Sequence, residues 1–446
     1  MSCEPFGAGS LSPPLFVRAT SRFPKRPWHS HALQRGLPPA RKSPELAPEQ
    51  EAARLELARI FEFVFWVCAG LLAYIYFGYL VLLTLLARLS EKATPSADVP
   101  EPSVTLLVSA FNESQVIAAK LENALALEYP SDQLEILVVS DDSDDGTDEI
   151  VQQFVSQSNV RLIRQHPRMG KTAGLNLGVP QAKGQVLVFS DANALYQSDA
   201  IRRLVRHFSN PKVGYVVGNA RYCEKNTESS SAESEGLYWK LETYLKKKES
   251  LFGSVVGGDG AIYAIRRELY SPLLPTDIND FLNPLQIIAR GYTGVFEPAA
   301  VCYEEAAENF SQEYRRKVRI ISRSLNALRR IPSVLNPLNN TRHWFLLVSH
   351  KLLRWFAPFF MILLFVSSLA LLQFPVYRAA ALLQAIFYGM ALVGWLWKPQ
   401  KLGKIFSLVF YFCMVNLASL VGCVKCFRGD LSRQWAPPRQ KVQNQT

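Results

Sequence analysis

The chain has 446 residues, 49 Lys+Arg against 38 Asp+Glu, and 49% hydrophobic residues. That length leaves room for two or more domains, and 20% charged residues with so much apolar content exclude a mainly disordered or collagen-like chain. The net charge of +11 suits a nucleic acid or an acidic membrane surface, but the basic residues cluster beside very apolar segments, which favours the membrane and argues for no nucleic-acid partner.

In chain order, residues 1–58 hold nine Pro and eight Lys+Arg with little periodicity, which predicts a disordered basic tail rather than a signal peptide. A transmembrane helix is expected over 59–88, because Phe63–Ala87 is 25 residues without a charge. Residues 100–340 alternate strand and helix signals. Val104–Ser109, Glu135–Ser140 and Val186–Ser190 read as strands, with Gly214–Gly218 as a fourth. Residues 114–127 and 145–156 read as helices between them. The pattern predicts an α/β domain with a doubly wound, mostly parallel sheet. Residues 343–355 put His343, His350, Lys351 and Arg354 on one helical face, which suits an interface helix or, equally, a soluble helix packed on the α/β domain. Within 356–426, the uncharged runs Phe356–Tyr377, Ala379–Trp397 and Ile405–Val424 predict three transmembrane helices, followed by a polar tail over 427–446.

Lys398, Lys401 and Lys404 place the last loop in the cytoplasm. Counting back puts 89–355 there too, so the expectation is a multi-pass integral membrane protein with a cytoplasmic α/β domain. The basic tail then falls outside, against the positive-inside rule. Seven Cys, an odd number, imply no disulfide framework, and Cys423-Val-Lys-Cys426 lacks the second pair that a metal site needs.

Ligands of doubly wound sheets sit at the carboxyl ends of strands. Ser109-Ala-Phe-Asn-Glu113, Ser140-Asp-Asp-Ser-Asp-Asp-Gly-Thr147 and Ser190-Asp-Ala-Asn193 follow three predicted strands. One acidic turn is ordinary turn chemistry; three at one edge make a site, because their charges repel unless a cation or ligand donors join them. Gly170-Lys171-Thr172 does not complete a P-loop, since residue 165 is Gln165.

The stretches VTLLVSAFNES, ILVVSDDSDDGT, RMGKTAGLNLG, VLVFSDANALY, GGDGAIYAIRREL, TDINDFLNPLQIIARGYTGVFEPAAV and RRKVRI follow one another between Val104 and Ile320. In this order the chain resembles a membrane-bound, inverting family 2 glycosyltransferase with a GT-A fold, similar to polysaccharide-synthesising members, over about 104–335. The resemblance implies that Asp141 contacts the donor's uracil and that Lys171 approaches the donor. It implies that Asp191 and Asn193 fill the two ligand positions of a D-x-D motif for a divalent cation, Mg²⁺ or Mn²⁺. Asn193 keeps an oxygen ligand but lacks the charge. Asp280 matches the catalytic base, with Asp277 as its nearest rival and a helix N-cap as the structural alternative for either. Asp259 and Arg316 fall on the acceptor side. Arg319 aligns with the Arg of Q-x-x-R-W, which would bind the diphosphate; Arg316 then replaces Gln and Ile320 replaces Trp. The register Gln312-Glu-Tyr-Arg315-Arg316 restores Gln but still lacks Trp.

The implied partners are a nucleotide-sugar donor, UDP-linked, a growing cell-surface polysaccharide or lipid-linked glycan as acceptor, membrane lipid, and export partners. The alternatives are a processive synthase of N-acetylglucosamine, hyaluronan or cellulose type, against which the broken Q-x-x-R-W argues, and a catalytically inactive membrane scaffold.

Overall fold

The structure is a computed structural model describing residues 48–90, 100–156, 159–223, 230–305, 310–397 and 403–431. The chain divides into two compact units, Met1–Ala53 and Arg54–Thr446, and of the first only 48–53 are described, as helix. Residues 1–47, 398–402 and 432–446 lie outside the described residues, and with them most of the expected tail, Lys398 and Lys401, and most of the polar tail.

Helix α1 (Pro48–Ala73) takes up residues 48–58 of the stretch expected to be tail. It continues through a π-helical turn, Tyr74–Gly78, into α2 (Tyr79–Arg88). The α/β domain follows as β1 (Val104–Ala110), α3 (Ile117–Leu125), β2 (Leu134–Asp141), α4 (Thr147–Val155), β3 (Val160–Gln165), α5 (Lys171–Gly178), β4 (Val186–Asp191), β5 (Leu195–Tyr196), α6 (Ala200–Val205), β6 (Val213–Cys223), α7 (Ser230–Phe252), β7 (Tyr263–Arg266), α8 (Asn279–Ala289), β8 (Thr293–Glu305) and α9 (Phe310–Arg330).

These strands form one eight-stranded sheet in the order β3-β2-β1-β4-β7-β6-β8-β5. The first four are parallel, as the sequence led us to expect. The rest is mixed: β7 runs antiparallel to both β4 and β6, β8 is parallel to β6, and β5 is antiparallel to β8. A short return strand needs no crossover helix, and β7 has only four residues between polar loops, so no long apolar run announces it. Because β7 reverses direction twice over, β6 and β8 point the same way as β4. The carboxyl ends of β1, β2, β4, β6 and β8 therefore share one edge.

Alternate strand residues feed two cores. Leu106, Val108, Ile136, Val138 and Val188 face α3 and α6. Leu107, Leu137, Val139, Leu187, Phe189 and Tyr263 face α5 and α8. This second core runs on without a break into Tyr79, Leu83, Trp355 and Cys423 of the apolar helices.

The C-terminal region holds α10 (Thr341–Leu347), a π-helical turn Val348–Leu352, α11 (Leu353–Ala370), α12 (Pro375–Leu396) and α13 (Lys404–Arg428). Residues 343–355 are thus part of one helical stretch running from Thr341 to Ala370. The uncharged run Phe356–Tyr377 is broken by a turn at 371–374, where Pro375 opens the next helix. Among the described residues, four helical stretches are long and apolar enough to cross a membrane: Pro48–Arg88, Thr341–Ala370, Pro375–Leu396 and Lys404–Arg428. They leave large apolar side chains exposed, among them Phe63, Phe77, Leu383 and Trp395.

A buried polar cluster joins these helices to the α/β domain. Glu249 of α7 accepts from Tyr79 Oη (2.8 Å) and pairs with His350 Nδ1 (2.5 Å) through Oε1, and accepts from the Val256 backbone N–H (3.1 Å) through Oε2. Glu242, one helical face away from solvent, lies 2.5 Å from Arg354 Nη1 and 3.6 Å from Lys351 Nζ. Burial would raise the Glu242 carboxyl, but Lys351, His350 and Arg354 outweigh it and hold it well below the usual carboxylate range. His350, Lys351 and Arg354 thus turn toward α7.

Glu249→Ala leaves the Tyr79 hydroxyl, the His350 ring and the Val256 N–H without their acceptor in a buried site. The expected cost is about 3 kcal/mol, read as a lowered midpoint in thermal unfolding of the detergent-solubilised protein. An unchanged midpoint would show that the cluster does not hold the helices to the domain.

Candidate active site

Local chemistry shapes each strand end. Asn112, at φ 52°, follows β1 and locks it to the turn after β2: its Nδ2 donates to Asp144 Oδ1 (2.6 Å), while its Oδ1 accepts from Asp144 N (3.0 Å). In that turn, Asp145 receives Ser114 N (3.0 Å) and Thr147 N (3.1 Å). Asp141, the last residue of β2, is buried. Its carboxylate accepts the backbone N–H groups of Met169 (2.9 Å) and Gly170 (2.9 Å) and the Gln165 side-chain amide. Arg168, next to that loop, lies 3.4 Å over the Phe111 ring. Asp141 therefore anchors the 165–170 loop that delivers Lys171 to the head of α5.

The Lys171 Nζ binds Asp191 Oδ1 at the end of β4. The turn beyond, Asp191-Ala192-Asn193-Ala194, is supported from below. Lys120 of α3 is fully buried, donates to the Ala194 carbonyl (2.5 Å) and lies 4.0 Å over the Tyr196 ring. Burial pulls its ammonium down to about 7, against the pull of Asp191 and Glu304.

Asp280 arrives from the first turn of α8. Pro284, four residues on, has no N–H, so the Asp280 carbonyl lacks its helical donor. The Gly258 N–H takes that place. The approach is so close that a Cβ on Gly258 would stand 2.8 Å from that carbonyl oxygen. Asn279 and Asn283 fasten the same helix by donating to Tyr263 Oη (2.9 and 3.0 Å). A Cβ placed on Gly260 would lie 3.5 Å from Asp280 Oδ2, 3.7 Å from Asp191 Oδ2 and 3.9 Å from Lys171 Nζ. Gly260 is thus the bare floor under three of the residues singled out from the sequence.

Two more acids complete the group. Asp259 pairs with Lys246 Nζ of α7 (3.2 Å). Glu304, next to the last residue of β8, is within electrostatic reach of Asp191 and Asp259; burial and those two carboxylates push its carboxyl up to about 8, opposed by Arg316 and Lys171. Burial also raises Asp280, Asp259 and Asp191 add to that, and Lys171 and Arg319 oppose it. Asp280 Oδ1 has no hydrogen-bond partner among the described residues. Arg319 of α9 is within electrostatic reach of the cluster: burial and Arg323 lower it to about 10, while Asp280 and Asp191 pull it up. Arg316 Nε donates to Glu313 (2.7 Å).

The structure therefore gathers Lys171, Asp191, Asp259, Asp280, Arg316 and Arg319 at one edge, with Asn193 two residues past Asp191. Asp277 is not an N-cap. It is buried, accepts Leu274 N (2.6 Å), and pairs with Arg330 of α9, away from Asp280. Glu304, Lys246 and Lys120 were missed. Glu304 stands near the end of a strand after the apolar run Ala299–Tyr303, a signal that could have been read; the two lysines carry no motif.

No group of three or more His, Cys, Asp or Glu able to hold a metal occurs among the described residues. Asp191 and Asn193 nevertheless fit a hard cation that draws its other ligands from a diphosphate and water. They are oxygen donors, and the crowding that raises Glu304 is what a cation would relieve.

The fold has solved counterparts. A mannosyltransferase from Pyrobaculum calidifontis, solved in complex with GDP-Man and Mn²⁺, superposes with a TM-score of 0.62 at 22% identity, covering 82% of this chain and 99% of that one. The architecture is that of a GT-A glycosyltransferase. Residues 105–274 match the family described as Glycosyl transferase family 2. It is 26% identical over 266 residues to the poly-beta-1,6-N-acetyl-D-glucosamine synthase of Staphylococcus aureus (strain COL), over 58% of this chain and 62% of the relative. The Staphylococcus epidermidis synthase is 25% identical over 221 residues, 48% and 53% of the two chains. The chain thus spans about three fifths of the length of the curated relatives it matches.

Asp277→Asn removes the buried partner of a half-exposed Arg330, so it should cost about 2 kcal/mol of stability. The check is a lowered melting midpoint with near-normal turnover per folded molecule. Normal melting with turnover abolished would make Asp277 the reacting carboxylate.

Proposed function

We propose that this protein is a multi-pass membrane glycosyltransferase that moves a sugar, with inversion, from a UDP-linked donor to a growing polysaccharide or lipid-linked glycan. The observation that carries this reading is the convergence of Asp280, Asp191 and Lys171 over Gly260 at the carboxyl edge of the sheet.

The site divides the work. Asp141 and its loop lie where the nucleobase would sit. Lys171 and Arg319 bring positive charge to the diphosphate. Asp191 and Asn193 would hold a divalent cation, Mg²⁺ or Mn²⁺, and when bound it would neutralise charge on the departing nucleotide. Asp280 takes the proton of the attacking hydroxyl. Its free Oδ1 and raised proton affinity suit a base that accepts a proton in the transition state. Asp259 and Arg316 face the acceptor.

The relatives are synthases of an N-acetylglucosamine polymer, which favours a polysaccharide product over a single addition. We assign the α/β domain and the 398–404 loop to the cytoplasm, with four crossings by the stretches named above. Reporters near residue 230 and in that loop should agree; disagreement removes a crossing.

Asp280→Asn keeps the shape and removes the base, so transfer should fall about a hundredfold or more while donor binding survives. Its raised proton affinity sets the pH profile: the carboxylate is the active form, so activity should climb with pH through a midpoint above the ordinary carboxylate range. Full activity of Asp280→Asn on a panel of nucleotide sugars would overturn the assignment.

For the cation, Asp191→Ala should abolish turnover and weaken donor binding. Undiminished activity in excess EDTA would remove the metal role.

A further inference from the structure

Lys120 is among the largest fully buried side chains of the protein, yet among the described residues no carboxylate is paired with it. Its ammonium has one hydrogen bond, to the Ala194 carbonyl, and sits over the Tyr196 ring. The pull of burial on its proton affinity shows a charge kept where solvation is poor. A methionine would fill much the same space without that desolvation. Stability alone is therefore a weak reason for an ammonium here, and its contacts supply a stronger one.

Ala194 closes the turn that carries Asp191 and Asn193. Its N–H donates to the Asp191 carbonyl (3.2 Å) and its own carbonyl takes Lys120, so both of its backbone polar groups are held. Asn123, three residues past Lys120 on the same face of α3, grips the strand that follows: its Oδ1 accepts from Tyr196 N (2.7 Å) and its Nδ2 donates to the Tyr196 carbonyl (2.9 Å). The Tyr196 hydroxyl donates to the carbonyl of Ala261 (2.9 Å), the neighbour of Gly260, with the Phe189 carbonyl of β4 at 3.2 Å. The turn, α3 and the Gly260 floor thus form one frame.

We propose that Lys120 is a positioning residue for the cation: by fixing the Ala194 carbonyl it holds Asp191 and Asn193 at the spacing a divalent ion needs, in register with the Gly260 floor. Lys120 itself touches neither cation nor donor. Repulsion among the acids of this edge favours an open turn, and the bond to Ala194 opposes it. A turn already closed loses less freedom when the ion binds. The proposal rests on the cation reading of Asp191 and Asn193 and adds that the turn is shaped before the ion arrives.

The test uses the full-length protein in lipid nanodiscs, with Mn²⁺ binding in the presence of UDP read by electron paramagnetic resonance. Lys120→Met leaves the buried Ala194 carbonyl without its donor, which should weaken Mn²⁺ binding per folded molecule about tenfold. Its melting midpoint should stay level or rise, because a buried ammonium is gone. Lys120→Gln keeps a donor and should return the affinity to within about threefold of the parent. Mn²⁺ affinity unchanged or tightened in Lys120→Met overturns the proposal, even with a lowered midpoint, and makes Lys120 a residue of stability only. Lys120→Gln binding as weakly as Lys120→Met also overturns it, since the hydrogen bond would then not be what holds the turn. A parent protein that binds no Mn²⁺ with UDP overturns the cation reading itself, and the proposal with it.

Discussion

Carboxylate crowding at one sheet edge is the constraint to which the rest of the domain answers. Asp191, Asp259, Asp280 and Glu304 come from different elements, and their mutual influence is visible in the raised proton affinities of Glu304 and Asp280. Two like charges 4 Å apart cost about 4 kcal/mol at the effective dielectric of a protein surface, close to the whole stability of a marginal domain. The answering cations therefore belong to the fold as much as to the chemistry. Lys171 comes from α5, Lys246 from α7, Arg316 and Arg319 from α9, and Lys120 supports the β4 turn from the opposite side of the sheet. They come from four different helices, so the site forms only when the helices on both sides of the sheet are docked.

That docking extends into the apolar helices. Glu249 binds Tyr79 of α2 and His350 with one oxygen, and with the other the backbone of Val256, just before the Gly257–Gly260 floor. The second core is continuous from the sheet to Trp355 and Cys423. Cys423 and Cys426 face this packing, where Cys423 Sγ meets the Trp355 carbonyl at 3.5 Å. Their spacing reflects a helix face buried against its neighbours.

What was legible in the sequence follows from how locally each feature is encoded. β1, β2 and β4 are central parallel strands buried on both faces, so they read as continuous apolar runs. β3 is an edge strand interrupted by Arg161 and Arg164, and β8 carries Glu297 and Pro298 at a register shift, so neither shows a clean run. Asp191, Lys171, Asp280 and Arg319 lie in contiguous motifs, and the structure brings them together. Glu304 and Lys246 enter the site only through the reversal at β7, which lets β6 and β8 run in the same direction as β4. Asp277, the rival of Asp280 within one motif, could not be separated from it by sequence: one side of the α8 entrance faces Arg330 and the other faces the floor. Sequence neighbours at a helix start point in different directions, and only the packed partner decides which.

The same crowding gives a physical account of Asn193. A carboxylate there would add one more acid to an edge already holding four, of which Glu304 is pushed up to about 8. An amide offers a cation the same oxygen without that repulsion, at the expense of some attraction. In a site with few acids, the extra charge of Asp would strengthen cation binding. Here it would also raise the proton affinity of Glu304 and Asp280 further, drawing the proposed base toward its inactive protonated form. The neutral ligand fits a site in which one carboxylate must stay free to take a proton, so the residue that departs from the family's pattern is consistent with a working base at Asp280.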